Sequence, residues 1–148
     1  MKICVVSDSH GDMDILSKIR FDNPNCDIYL HLGDSCLPEY MLDSFVSVKG
    51  NCDYFEDYPL NKIIETPYGK IWCEHGHIHG KGSVDFLKEK DCVVYLSGHT
   101  HVHKLEEIDG YYFANPGSVS RPRDGSDGTY LIIDVTKDKI DFKFKSVL

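Results

Sequence analysis

Short apolar runs that stop abruptly at a polar cluster are the feature that most constrains the fold of this chain. The first run spans residues 3–6 and ends in Ser7-Asp8-Ser9-His10-Gly11. A β-branched run closed by Asp, Ser and Gly is typical of a buried strand followed by a loop. It places a carboxylate and an imidazole at the carboxyl end of the strand, where open α/β sheets keep their functional groups.

The same arrangement recurs twice in the first half of the chain. Residues 27–32 form a second predicted strand that ends in Gly33-Asp34, and residues 45–48 form a third that ends in Gly50-Asn51-Cys52-Asp53. A short amphipathic helix is predicted after Asp12, and one or two helical turns between residues 38 and 44. This alternation predicts parallel strands joined by right-handed crossovers.

The second half of the sequence predicts hairpins. Turn residues separate three pairs of strand-like runs, which are 62–65 with 70–74, 102–108 with 111–114, and 129–135 with 139–144. A helix over 84–90 leads to another apolar run, 92–96. Two of these strands end in imidazoles, in His75-Gly76-His77 and in Gly98-His99-Thr100-His101. Two groups of strands with few helices favour two packed sheets flanked by helices.

Length and composition fit one globular domain spanning residues 1–148, with 41% hydrophobic residues. A net charge of -8 argues against a stable nucleic-acid partner or an anionic membrane, because both attract basic surfaces. No secretory signal and no apolar run of membrane-spanning length is visible. The six cysteines lack C-x-x-C spacing, so we expect free thiols and a reduced, cytoplasmic setting.

The strand ends together offer carboxylate, amide and imidazole groups and no thiolate. Such ligands suit Mn, Fe, Zn or Ni better than a structural zinc knot of cysteines. Taken singly, each residue is equally a loop or cap residue, whereas the set indicates a metal centre. Seven ligands exceed the need of one ion and suit two ions about 3.5 to 4 Å apart. The set is Asp8, His10, Asp34, Asn51, His75, His99 and His101.

In this order, the motifs around these residues resemble the motif set of the calcineurin-like metallophosphoesterases, in particular their small single-domain bacterial and archaeal phosphodiesterase branch. The resemblance implies an α/β (α+β) fold, a four-layer αββα sandwich of two mixed β-sheets flanked by helices. It also implies two divalent ions, with Mn expected and Ni, Fe or Zn as alternatives. One metal is held by Asp8, His10 and His101, the second by Asn51, His75 and His99, and Asp34 bridges them.

The activity implied by the resemblance is hydrolysis of a small-molecule or nucleotide phosphodiester, with a metal-bridging hydroxide as nucleophile. Two alternatives stay open. The first is a phosphomonoesterase that uses the same site. The second is a non-catalytic metal-binding scaffold, because one relative on this fold serves as the scaffold of a trafficking complex. Assembly into a homo-oligomer is also left open.

The Asn51-Cys52-Asp53 motif departs from many relatives, which have His between the Asn and the Asp. The resemblance assigns catalytic roles to these three residues, and Cys is the form found in the small phosphodiesterase branch. A thiol cannot supply the positive charge of an imidazolium to a leaving group. We therefore predict a preference for leaving groups that are already good, such as aryl oxygens. Asp53 is either a loop cap or a residue that orients a ligand.

Substrate contacts are predicted for Cys52, His77, Ser118 and Arg121. Ser118 lies in a loop that is equally an ordinary turn, and the guanidinium of Arg121, with that of Arg123 beside it, is either a phosphate clamp or a solvated charge. The aromatic residues Tyr54, Phe55 and Tyr58 stack a base or aryl group, cover a subunit interface, or pack as a lid. Three other histidines are predicted to lie outside the metal centre, His31 packed in a strand and His79 and His103 at the surface.

Overall fold

The computed structural model describes all 148 residues, which form ten strands, two helices and one 3-10 turn. In chain order the elements are β1 (Lys2–Val6), α1 (Met13–Asp22), β2 (Ile28–His31), the 3-10 turn (Glu39–Met41), β3 (Val46–Ser47), β4 (Asn61–Glu65), β5 (Lys70–Glu74), α2 (Val84–Lys90), β6 (Val94–Leu96), β7 (Lys104–Ile108), β8 (Tyr111–Asn115), β9 (Thr129–Val135) and β10 (Ile140–Ser146). Both helices begin at a side-chain cap, Asp12 for α1 and Ser83 for α2. Neither is long and apolar enough to cross a bilayer.

The first sheet has the strand order β10-β9-β1-β2-β3. Strands β1, β2 and β3 pair in parallel, with Val5 opposite Leu30, which confirms the predicted parallel pairing. The antiparallel pair β9 and β10 was also predicted, but its place beside β1 was not. That pairing joins segments from opposite ends of the chain, and no local pattern specifies such a neighbour.

The second sheet has the order β4-β5-β6-β8-β7 and contains the two other predicted hairpins. Two strand starts in this sheet differ from the prediction by two residues. β6 begins at Val94 because the amide of Cys92 still bonds the carbonyl of Leu87 at the end of α2 (2.9 Å). β7 begins at Lys104 because residues 100–103 turn locally, the amide of Val102 bonding Thr100 Oγ1 (3.2 Å).

Three apolar clusters fill the spaces between four layers. Ile3 and Val5 of β1 point into a core of 15 buried residues between the sheets, whereas Cys4 and Val6 point to the outer face, which α1 covers. Helix α2 covers the outer face of the second sheet through Leu87. Burial on both faces explains why the central strands read as continuous apolar runs. The predicted αββα sandwich is therefore confirmed.

The loops that follow β2 and β3 are joined by one buried carboxylate, Asp53. Its Oδ2 accepts hydrogen bonds from the amides of Asp34 (2.8 Å) and Gly50 (2.7 Å), and its Oδ1 accepts from the amide of Cys36 (3.0 Å). The loops touch so closely that a Cβ on Gly50 would collide with the carboxylate of Asp34. Asp53 thus satisfies three backbone donors that water cannot reach.

We expect Asp53→Asn to lower the free energy of unfolding of the metal-free protein by about 2 to 3 kcal/mol, the cost of one buried charged hydrogen bond lost and one donor left unpaired. Any orientation of the amide turns its NH₂ group toward at least one backbone N–H. Urea denaturation with an unchanged m-value would measure the loss.

Asp57→Asn is the matched control, because Asp57 lies in the same segment but its side chain is fully exposed and pairs only with Lys49 (3.6 Å). Its unfolding midpoint should stay at the wild-type value. Equal midpoints for the two variants would show that Asp53 does not hold the loops together.

Candidate metal centre

All seven predicted ligands meet at one edge of the sandwich. Asp8 and His10 follow β1, Asp34 follows β2 and Asn51 follows β3, while His75, His99 and His101 follow β5 and β6 of the other sheet. Parallel strands present their carboxyl ends at the same edge of a sheet. The cluster forms where this edge of one sheet meets the corresponding edge of the other.

Five of these seven residues adopt positive φ angles. The values are 55° for Asp8, 45° for His10, 60° for Asp34, 72° for His99 and 63° for His101. This left-handed conformation is uncommon for residues other than glycine and costs about 1 kcal/mol or more at each position. The chain turns sharply where these residues follow their strands. Asp8 and His10, and likewise His99 and His101, can therefore both reach the cluster.

The first ligand group consists of Asp8, His10 and His101, whose ligand atoms lie within 4.8 Å of one another. The distance from Asp8 Oδ1 to His101 Nε2 is 3.3 Å and that to His10 Nε2 is 3.9 Å. The two Nε2 atoms are 3.4 Å apart. Ligands around one ion at 2.0 to 2.2 Å are separated by about 3.0 to 3.4 Å, so this spacing fits a shared cation.

The second group is centred on His75 Nε2. This atom lies 3.3 Å from Asp34 Oδ2, 2.9 Å from Asn51 Oδ1 and 3.2 Å from His99 Nδ1. Asp8 Oδ1 is 3.9 Å away and belongs to this group as well. The donor set is one amide, two imidazoles and the carboxylates, as expected for a hard or borderline divalent cation.

Asp8 Oδ1 is therefore the atom common to the two groups, whereas the resemblance assigns the bridge to Asp34. Asp34 Oδ1 accepts a hydrogen bond from the amide of Cys52 (2.8 Å), and its Oδ2 faces His75. The bridging role of Asp34 stays a prediction.

Hydrogen bonds fix which nitrogen of two histidines is available to a metal. His75 Nδ1 lies 2.8 Å from the carbonyl oxygen of Leu32, and His101 Nδ1 lies 2.7 Å from that of Arg121. Because a carbonyl oxygen only accepts, each Nδ1 carries the proton and each Nε2 presents a lone pair when the ring is neutral. Metal-binding histidines typically use their second nitrogen in this way.

One atom of the cluster has no hydrogen-bond partner although it is fully buried, namely Asp8 Oδ1. The other oxygen of Asp8 accepts from Ser7 Oγ (2.6 Å) and from the amide of His99 (3.0 Å). A buried carboxylate oxygen with no partner carries a large desolvation cost. A divalent cation between Asp8 and the imidazole lone pairs would remove that cost, so the residues present fit a metal.

The electrostatics of the cluster favour the charged form of Asp34. Burial opposes ionisation of Asp34, but hydrogen bonds from His75 and from the Cys52 amide outweigh it and lower the pKa of Asp34 to about 2. Burial likewise disfavours the imidazolium of His75, yet its hydrogen bond to Asp34 and the nearby carboxylates raise its pKa. At His10 the effect of burial prevails and lowers the pKa. In the absence of a metal, the carboxylates therefore favour a proton on His75 but not on His10.

The Asn51-Cys52-Asp53 motif has divided roles. Asn51 reaches the second ligand group, and Asp53 lies under the site as the loop anchor described above. The Cys52 thiol lies 3.6 Å from Asn51 Nδ2 and is partly exposed beside the cluster. Burial and the nearby carboxylates raise the pKa of Cys52, which keeps this thiol protonated.

The expectation that Ser118 contacts substrate is wrong. Its side chain is fully buried, and its hydroxyl donates to the carbonyl of Asp8 (2.8 Å) while accepting from the amide of Arg121 (2.8 Å). Ser118 supports the loop that carries Asp8. The Arg121 and His77 side chains are exposed at the site, Arg121 near enough to His10 to disfavour its protonation.

The other histidines take the predicted places outside the cluster. His31 is buried, and burial lowers its pKa to about 4. Its Nδ1 accepts from the amide of Gly33 (3.0 Å), so Nε2 carries the proton and donates to Ser9 Oγ (2.8 Å). His79 bonds Glu74 (2.8 Å) and His103 bonds Asp124 (2.6 Å) at the surface.

Sequence reasoning missed two supporting residues, Ser7 and Glu74, which directly precede predicted ligands. Ser7 bonds the carboxylate of Asp8, and Glu74 is a buried carboxylate that bonds Trp72 Nε1 (2.7 Å) and His79 Nδ1. A polar residue at or directly after the end of an apolar strand was the available signal. Nothing in its spacing distinguishes it from an ordinary strand end.

Two open spaces with different lining residues adjoin the second ligand group, one at His99 and one at Asn51. One, the His99 cavity, has a volume of about 410 Å³ and is lined by His99, by Gly76, Gly80 and Lys81, and by Phe113 of β8. The other, the Asn51 cleft, measures about 810 Å³ and is lined by Asn51, Tyr54, Phe55 and His77. Tyr54 and Phe55 are exposed, whereas Tyr58 is buried and donates to the carbonyl of Leu37 (2.8 Å).

Comparisons with known proteins agree with this geometry. The probable metallophosphoesterase YsnB of Bacillus subtilis is 30% identical over 152 aligned positions, which cover 97% of this chain and 90% of YsnB. The phosphodiesterase YfcE of Escherichia coli K12 is 28% identical over 163 positions, covering 90% of this chain and 88% of YfcE. Both alignments extend over nearly the whole of each protein.

A solved structure from Streptococcus pneumoniae, a conserved protein described as a predicted phosphoesterase, superposes with a TM-score of 0.85 at 29% identity. The superposition covers 99% of this chain and 89% of that protein. The model of the calcineurin-like phosphoesterase superfamily domain matches residues 1–138. The ligand cluster, the sandwich and these matches lead to one conclusion, that the chain belongs to the calcineurin-like phosphoesterase superfamily.

Proposed function

We propose that this protein is a binuclear metal-dependent phosphodiesterase that hydrolyses small-molecule or nucleotide diesters. The observation that carries the proposal is that ligand atoms of His10, Asp34, His75 and His101 surround Asp8, whose buried Oδ1 has no hydrogen-bond partner. Mn²⁺ is the expected metal, with Ni, Fe or Zn as alternatives, and a cytoplasmic location is the expected setting. Bound cations would supply Lewis-acid polarisation of the phosphoryl oxygens and activation of a water molecule.

The chain's own residues would bind and orient the ester. The exposed guanidinium of Arg121 lies beside the first ligand group, where it is placed to pair with a non-bridging phosphoryl oxygen. Asn51 and His99 adjoin the open spaces on either side of the second group. Asp53 and Ser118 hold the ligand-bearing loops, so the groups need little rearrangement on binding.

The two spaces support a diester over a monoester. A diester has two organic substituents, and the His99 cavity and the Asn51 cleft offer room for one on each side of the second ligand group. A monoester has one substituent and would leave one space unfilled. The name of the relative YfcE, a phosphodiesterase, agrees with this reading.

The central test is Asp8→Asn. We expect the isolated variant to retain less than half of the wild-type metal content by elemental analysis, and turnover to fall at least about 100-fold. The metal-free variant should unfold at the wild-type midpoint or above it, because a neutral amide replaces a buried charge with an unpartnered oxygen. Its NH₂ group would face the lone pair of His101.

Asp138→Asn is the control, since Asp138 lies exposed in the turn between β9 and β10. Metal content, turnover and stability should all match the wild type. An Asp8→Asn protein that keeps two metals and full turnover would refute the proposed binuclear centre.

Diester preference can be tested with two chromogenic esters in Mn²⁺. We expect kcat/KM for bis(4-nitrophenyl) phosphate to exceed that for 4-nitrophenyl phosphate by at least about tenfold, because only the diester fills both spaces. A higher value for the monoester would favour the phosphomonoesterase alternative. Two bound metals without turnover of either ester would favour the scaffold.

The role of Cys52 can be tested by Cys52→His. An imidazolium at this position would stabilise a departing alkoxide that a neutral thiol cannot. We expect the variant to hydrolyse alkyl aryl diesters at the alkyl oxygen faster than the wild type, with a smaller gain on bis-aryl diesters. Product analysis by ³¹P NMR distinguishes the two cleavages, and an unchanged product ratio would remove Cys52 from leaving-group assistance.

A further inference from the structure

The His99 cavity differs from the rest of the site in what encloses it. Four segments form its walls. They are the loop after β5, with Gly80 and Lys81, the loop after β6, with residues 97–100, the edge strand β7, with Lys104, and the neighbouring strand β8, with Phe113. The volume of about 410 Å³ suits a small ligand rather than a protein segment. Phe113, which is 6% exposed, adds an aromatic surface to a lining that is otherwise largely backbone and small side chains.

The wall that carries Lys81 is held in place by the preceding strand. Buried Glu74 bonds His79 (2.8 Å), and the Tyr95 hydroxyl donates to the carbonyl of Gly80 (3.2 Å). The amide of Gly80 also closes a turn onto the carbonyl of Gly76 (3.0 Å). These bonds fix the loop on both sides of the cavity mouth, so the space is formed before any ligand arrives.

The charge of this cavity is opposite to that of the chain as a whole, which carries a net charge of -8. Lys104 pairs with Glu106 (3.3 Å), and these two charges offset each other. Lys81 is exposed and forms no salt bridge. The cavity therefore offers one uncompensated ammonium group.

The Asn51 cleft has the opposite character. Its ionisable lining comprises Lys49, Asp53, Glu56 and Asp57 besides His77, and Lys49 is paired with Asp57 (3.6 Å). The carboxylate of Glu56 remains exposed to the cleft apart from a bond to the amide of Glu39 (2.9 Å). An anionic substituent would meet repulsion on this side and attraction on the other.

His99 connects the cavity to the ligand cluster. Its Nδ1 lies 3.2 Å from His75 Nε2, while the same residue lines the cavity. A phosphoryl group bound at the second ligand group can thus extend a substituent past His99 toward Lys81. His99 is the one predicted ligand that also lines the cavity.

We propose that the His99 cavity binds one of the two organic substituents of the diester, and that this substituent has a small planar or apolar body carrying an anionic group that pairs with Lys81. This inference rests on the proposed phosphodiesterase function and narrows its substrates to asymmetric diesters with one anionic arm. The body packs along Phe113 and Val102, and the anion reaches the cavity mouth.

The test compares two diesters that differ by one carboxylate, diphenyl phosphate and 4-carboxyphenyl phenyl phosphate. Isothermal titration of the Mn²⁺-loaded protein should give a Kd about fivefold lower for the carboxylate diester, the effect of one partly exposed ion pair. Lys81→Gln should abolish this preference. Lys88→Gln, which removes an exposed lysine from the last turn of α2, should leave it intact.

Val102→Trp tests the contribution of the cavity separately from that of the Lys81 charge. The larger side chain would fill the space while leaving Lys81 in place, so the preference should disappear. A preference that survives Val102→Trp, or one that survives Lys81→Gln, would overturn the proposal. So would the absence of binding by either diester, or equal Kd values for the two in the wild type.

Turnover of bis(4-nitrophenyl) phosphate in the same samples distinguishes the two proposals. Full turnover without a carboxylate preference refutes the anionic subsite and leaves the phosphodiesterase standing. A Lys81-dependent preference without turnover refutes the phosphodiesterase and leaves the binding site standing.

Discussion

The concentration of acceptor atoms around Asp8 is the constraint on which the rest of the structure depends. Two carboxylates, the Asn51 amide and the imidazole lone pairs face one small volume, and Asp8 Oδ1 finds no donor there. Such an arrangement is unfavourable without a cation, because buried negative charge and lone pairs repel. Its persistence requires that the surrounding fold impose it. Metal affinity and folding stability are therefore coupled at this edge of the sandwich.

The fold imposes the cluster through buried hydrogen bonds to backbone groups. Asp53 ties the loops after β2 and β3, Ser118 holds the carbonyl of Asp8, and the carbonyls of Leu32 and Arg121 orient His75 and His101. Each bond joins residues at least 19 positions apart in sequence, so it exists only when the fold has brought their loops together. These contacts offset the conformational cost of the left-handed backbone at five of the predicted ligand residues. The residues with strained backbone and the hydrogen bonds that hold them therefore lie in the same loops.

The sequence predicts most of the fold and the residues of the cluster for the same reason, because local sequence patterns indicate both. Apolar runs set the strands, and the polar residues that follow them form the cluster of seven predicted ligands. The packing of β9 against β1 and the burial of Ser118 depend on contacts more than 100 residues apart in sequence, which no local pattern contains. The predicted substrate contact of Ser118 was wrong because the sequence of a turn does not show whether a serine hydroxyl faces solvent or a backbone carbonyl.

The same separation between local and distant contacts explains where specificity resides. The predicted metal ligands lie on loops that buried hydrogen bonds hold in place. These residues therefore have little freedom to vary and to distinguish one substrate from another. Much of the walls of the two adjoining spaces comes from β7, from the loop after β5 and from residues 54–58, whose side chains are not among the predicted ligands. Their side chains, including Lys81 and Tyr54, can change without disturbing the ligands. A chain of this size can thus keep one hydrolytic centre and set its substrate preference with a few exposed residues.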